Sequence, residues 1–129
     1  MNWLEILAVF LGSGLGGACR FLTSKIIQTH CAPTIFPWGT FTVNVIGCFL
    51  IGLFYGLFDR YSPAEWMSPQ MRLFLTVGFC GGFTTFSTFI NENYLLTQSS
   101  GLMIVLGYMA LSVIVGFLLL FSGYYLTRL

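Results

Sequence analysis

Four long apolar stretches, joined by short polar loops, constrain this chain more than any other feature of its sequence. They run from Trp3 to Ile27, Trp38 to Phe58, Gln70 to Gln98 and Leu102 to Leu126. A membrane-spanning helix needs about 20 mainly apolar residues, and each stretch reaches that length. Charge is correspondingly scarce. Charged residues make up 7% of the 129 and hydrophobic ones 57%, whereas soluble domains carry about 25% charged residues. Mean hydropathy is +0.87. The reading is an all-α membrane protein, residues 1–129 forming one four-span domain with no room for an extramembrane domain. A soluble enzyme and a disordered regulator are excluded. So is a nucleic-acid binder, since a net charge of +1 supplies no basic surface for phosphates.

The cysteines add little. Cys19, Cys48 and Cys80 fall in apolar stretches and Cys31 in a polar loop beside His30, with no metal-ligand spacing. The N-terminus carries Glu5 and no basic leader, so the first stretch is expected to stay as a span. Loops are expected at Gln28–Pro37, with Pro33 and Pro37, and at Asp59–Pro69, with Arg60 and Glu65. Gly12 and Gly16, and again Gly52 and Gly56, have the GxxxG spacing that lets a second backbone approach closely.

The third stretch departs from a plain span. Its middle runs from Gly78 to Phe89 through Cys80, Gly81, Gly82, Phe83, Thr84, Thr85, Phe86, Ser87 and Thr88. Adjacent glycines followed by hydroxyl residues make a poor continuous helix. A break near Gly81–Thr84, flanked by two half-helices, is expected. Non-helical backbone at membrane depth must be buried in protein or line a wet cavity. A kinked glycine hinge explains the spacing as well as a carbonyl site for a cation does.

Polar residues inside the spans are the site candidates. Asn44 lies in an otherwise apolar span with Thr40 one turn before it. An amide in hydrocarbon needs a partner or water, so Asn44 serves either as helix–helix glue or as a donor in a pathway. Phe86 and Phe89 share a face; Thr85, Thr88 and Glu92 form the neighbouring stripe. Aromatic rings present a positive edge. Ring edges among hydroxyls and an amide would suit a small anion that must bind and also leave, while packing alone would also explain two phenylalanines. Tyr108 and Ser112 share a face of the fourth span. Glu92 reads as a solvated or structural carboxylate near a helix end. Arg20 is expected to reach toward the interface and lend a mouth a positive field.

With the N-terminus on one side, Arg60, Arg72 and Arg128 share that side, and Arg20 and Lys25 the other. Such a balance gives the positive-inside rule little to act on. It allows insertion in both orientations and an antiparallel pair about an in-plane two-fold axis.

At these residues the chain resembles the Fluc/CrcB fluoride channel family. The match comprises the glycine-rich Gly12–Arg20 run, the Pro37-Trp38-Gly39-Thr40-Phe41-Thr42-Val43-Asn44 run with Gly47 beyond it, and above all Gly78–Phe89 with Glu92 following. One departure is Phe83, where the family often has an aliphatic residue. The resemblance implies a dual-topology antiparallel homodimer in the bacterial plasma (inner) membrane, exporting fluoride passively through two antiparallel pores. It implies a structural sodium ion on the two-fold axis, held by the backbone carbonyls of Gly81 and Thr84. Phe86 and Phe89 would turn ring edges to fluoride, Asn44 would donate its amide, and Ser87 and Thr88 would supply hydroxyls. Tyr108 and Ser112 would add to the pore, with Thr40 near a mouth and Arg20 acting electrostatically. The alternative is a small multidrug-resistance-like proton-coupled antiporter. That chemistry needs a carboxylate deep in the first span, where this chain has Gly, Leu and Ala.

Overall fold

The computed structural model describes residues 2–31, 36–61 and 68–129, apart from the Cys31 side chain. The expectations placed on Cys31, Pro33 and Glu65 therefore lie outside what is described. Among the described residues every regular element is helical: α1 (Trp3–Cys31), α2 (Trp38–Tyr61), α3 (Pro69–Leu73), a π-helical stretch (Phe74–Cys80), α4 (Gly81–Phe83), α5 (Ser87–Ser99) and α6 (Leu102–Leu126). Among the described residues four helical stretches are long and apolar enough to cross a membrane, counting α3 through α5 as one.

Two helices outrun their expected ends. The first span was expected to stop at Ile27, but α1 continues to Cys31. Gln28, Thr29 and His30 are polar without breaking a helix, and the Thr29 hydroxyl donates to the Lys25 carbonyl within the turn. Likewise α2 runs past Phe58 to Tyr61, where Asp59 receives the Tyr124 hydroxyl at 2.5 Å. Polarity marks where a chain leaves lipid, not where its helix ends.

The start of α3 follows helix-entry chemistry. Ser68 is extended (φ −65°, ψ 160°), its hydroxyl accepts from the Met71 N–H, and Pro69 takes the first helical position. Between α5 and α6 the chain turns through Gly101 at φ +87°, a conformation open to glycine at little cost.

Glycines decide how the long helices meet. On α2, a Cβ at Gly52 would land on the Leu120 carbonyl of α6, and one at Gly56 would lie 2.7 Å from the Tyr124 carbonyl. From α6, a Cβ at Gly123 would strike the Phe49 carbonyl. On α1, a Cβ at Gly12 would lie 2.5 Å from the Phe74 carbonyl, and one at Gly16 would strike the Phe79 carbonyl. Both GxxxG pairs thus find a backbone within their own chain. In lipid this close van der Waals approach replaces the hydrophobic drive that assembles soluble helices. The small core joins Leu96, Val105 and Tyr108, flanked by Phe36, Phe41 and Phe89.

Candidate functional site

Between α4 and α5 the backbone leaves the helix. Gly81 and Gly82, expected to begin the irregular stretch, are helical, with Gly81 at φ −62°, ψ −37°. The extended residue is Thr84 (φ −89°, ψ 164°), and helix resumes at Ser87. The glycines are used for contact instead: a Cβ at Gly82 would lie 2.5 Å from the Ser13 carbonyl of α1.

An extended residue inside a bundle leaves peptide groups without helical partners, and burying them unpaired is costly. Asn44 supplies the partners. Its Oδ1 accepts from the Thr85 N–H at 2.8 Å, and its Nδ2 donates to the Thr85 carbonyl at 3.1 Å. The side-chain amide pairs with the Thr85 backbone as a neighbouring strand would. One Asn44 amide hydrogen remains for another acceptor. On the other side, Arg20 Nε donates to the Gly82 carbonyl at 2.9 Å. Arg20, expected to reach toward an interface, is thereby also tied to the third segment.

Two clefts flank this junction. One, of about 460 Å³, is lined by Asn44, Phe86, Phe89 and Ser112 together with Gly81 and Thr84, and by the thiols of Cys48 and Cys80. Among the described residues no charged side chain lines it. The second, of about 250 Å³, is lined by Arg20, Lys25, Thr40 and Thr88 among others. Thr85 lines both. Most of the candidates read from sequence thus gather around a single backbone interruption. The Phe86 and Phe89 rings are 6.4 Å apart at 43°.

Tyr108 and Ser87 stand apart from these two clefts. Tyr108 is buried, with Phe89 edge-on at 5.0 Å and Phe36 at 4.9 Å. Its hydroxyl and that of Ser112 are buried with no protein partner among the described residues. Ser87 is exposed at the start of α5.

Glu92 was not among the site candidates. Its Oε2 accepts the Thr40 hydroxyl at 2.9 Å, and its Oε1 is buried without a partner. Thr40 is therefore committed to a carboxylate across the α2–α5 contact. The signal was present in the Thr85–Thr88–Glu92 stripe, which puts a carboxylate on the same face as the hydroxyl track. Among the described residues no three His, Cys, Asp or Glu side chains gather.

Comparison with known proteins covers nearly the whole chain. The sequence profile described as CrcB-like protein, Camphor Resistance (CrcB), matches residues 7–124. A fluoride-specific ion channel FluC of Bacteroides fragilis is 44% identical over 124 residues, 95% of this chain and 94% of the relative. One from Gloeothece citriformis is 45% identical over 125 residues, covering 97% and 98%. A FluC 1 channel of Nitrobacter hamburgensis is 40% identical over 129 residues, covering 99% and 98%.

Proposed function

This chain belongs to the CrcB-like family, a family of membrane channels and not of enzymes, and from that premise we propose that it is a fluoride-selective channel exporting fluoride passively. The observation that carries the reading is the uncharged cleft in which Asn44, Phe86, Phe89 and Ser112 meet. Fluoride holds its water tightly, so a pore must replace that water with several modest donors. Asn44 offers an amide hydrogen, Ser87, Thr88, Ser112 and Tyr108 offer hydroxyls, and the rings offer positive edges. None is a full charge that would hold the ion in place. Arg20 and Lys25 draw anions toward a mouth near Thr40.

The working unit is an antiparallel homodimer with two pores, in the bacterial inner membrane. Phe86 is 75% exposed on the single chain, and Gly81 and Thr88 are exposed beside it. Interrupted backbone cannot face lipid, and a second copy in the opposite orientation would cover it. The near-balance of Lys and Arg supports both orientations.

A structural sodium ion fits at the centre. In a continuous helix the Gly81 carbonyl would receive the Thr85 N–H, but that hydrogen goes to Asn44. The Thr84 carbonyl would receive the Thr88 N–H, which is directed to the Thr85 hydroxyl at 3.4 Å. Both carbonyls proposed to hold sodium have helical donors that are turned elsewhere, and both residues line the cleft. A cation there would neutralise converging carbonyl dipoles from two subunits.

The test is fluoride efflux from liposomes containing only this purified protein, followed with a fluoride electrode. Fluoride should leave down its gradient while chloride stays. Efflux no faster than from protein-free vesicles would overturn the reading. Coupling to a sodium gradient at a fixed ratio would overturn the structural role of sodium.

A further inference from the structure

The sequence suggests an electrostatic part for Arg20, a positive field at a mouth. The structure gives it a second task. In a continuous helix the Gly82 carbonyl would accept from the N–H of Phe86, four residues on. Thr84 is extended, and Phe86 lies beyond it in the gap between α4 and α5. Arg20 Nε supplies the replacement donor at 2.9 Å. The contact is closely set: a Cβ at Gly82 would lie 2.5 Å from the Ser13 carbonyl and 3.1 Å from the Gly17 nitrogen. The Gly82 peptide is thus pressed onto α1 one turn from Arg20 and held there.

We propose that Arg20 is a positioning residue for the cation site: by taking the Gly82 carbonyl toward α1, it fixes the peptide planes between the Gly81 and Thr84 carbonyls. This rests on the sodium reading above. Asn44 takes the Thr85 carbonyl in the same way from α2. Side chains from neighbouring helices engage the Gly82 and Thr85 carbonyls; of the Gly81, Phe83 and Thr84 carbonyls left over, those of Gly81 and Thr84 belong to residues that line the cleft. Without Arg20, the Gly82 carbonyl would seek another donor or turn to the ion, and the spacing of the other two would change.

The inference separates from the electrostatic role because the donor is Nε and not a terminal guanidinium nitrogen. Glutamine places Nε2 the same number of bonds from Cα as arginine places Nε, without the charge. Lysine keeps the charge but puts a methylene at that position. Methionine puts a methyl there and carries no charge. The purified dimer is heated in detergent while sodium chloride replaces N-methylglucamine chloride at constant ionic strength, and the sodium concentration giving half of the rise in Tm is read. The parent should show a saturable rise. Arg20→Gln should reach its midpoint at or below the parent's concentration. Arg20→Lys and Arg20→Met should need about three- to tenfold more sodium, the scale of a lost hydrogen bond. If Arg20→Met is too unstable to purify, Gln against Lys decides alone. The inference is overturned if Lys matches the parent while Gln does not, or if all three variants match it. A parent with no sodium-specific rise overturns the sodium reading itself, and this inference with it, before any substitution is made.

Discussion

The α2–α6 seam and the third segment are built from similar residues and solve opposite problems. Along the seam both helices are continuous, over Trp38–Tyr61 and Leu102–Leu126. Their backbone groups are satisfied within each helix, and glycines let the two surfaces meet. In the third segment, π-helix gives way to a short α-turn and then to extended backbone at Thr84. There the peptide groups depend on other helices: Thr85 on Asn44, and Gly82 on Arg20. A self-satisfied helix contributes stability and offers an ion nothing. An interrupted one exposes carbonyls and hydroxyls, and must be held by its neighbours. The seam reads as scaffold and the third segment as the site it holds.

The strongest way to break this comparison is Asn44→Ala. It strands the N–H and C=O of Thr85 together, so destabilisation of about 2–5 kcal/mol is expected. Thermal unfolding in detergent should show a clear fall in Tm, with fluoride efflux lost as well. An unchanged Tm would mean that the interruption holds itself.

Gly52→Ala tests the seam by the opposite means, adding an atom where none fits. Its Cβ would meet the Leu120 carbonyl, for a cost of about 1–3 kcal/mol from the forced shift. Efflux per folded dimer should remain, since Gly52 lines neither cleft. Loss of efflux in a dimer of parental stability would erase the division between scaffold and site.

Phe86→Ile sharpens the other side. Phe86 is mostly exposed on the single chain and would meet the second copy in the proposed dimer, where isoleucine keeps apolar bulk. Removing the ring's positive edge should slow fluoride efflux about tenfold, the upper end of a single aromatic contact. Expression and dimerisation should be intact. Phe86→Met, more polarizable and adaptable, should be milder. Phe89→Ile should also slow efflux, though the ring's contact with Tyr108 adds a packing loss. Parental efflux in both isoleucine variants would make the rings packing and move the path elsewhere.

The smallest effect is expected at Gly107, where a Cβ would meet nothing within 4 Å. Gly107→Ala should leave efflux alone and raise stability by about 0.5–1 kcal/mol, since alanine loses less freedom in a helix. A destabilised Gly107→Ala would show that α6 is covered there by something outside the chain.

Much of the fold was legible along the chain because lipid imposes a length and a composition on whatever crosses it. Four spans, two glycine faces and a polar interruption in the third span are local patterns, set by neighbours a few residues apart. Asn44, Phe86, Phe89 and Ser112 were each legible as a polar or aromatic residue of note in an apolar span; that they line one cleft was not. The π-helical stretch at Phe74–Cys80 was not, for no residue type there demands it. Nor was the location of the extended residue, because glycines at 81 and 82 suggested backbone freedom where the fold uses them for closeness to α1.

Sequence alone therefore determined that this chain carries four stretches long and apolar enough to cross a membrane, and which of its residues are costly to leave facing lipid. Tertiary structure decided what satisfies them. Asn44 reaches across 41 positions to Thr85, Thr40 across 52 to Glu92, and Arg20 across 62 to Gly82. A buried polar group must find a partner, and sequence states that requirement at each position. The identity of the partner depends on which helix lies alongside, and that is set only when backbones close on one another through their glycines.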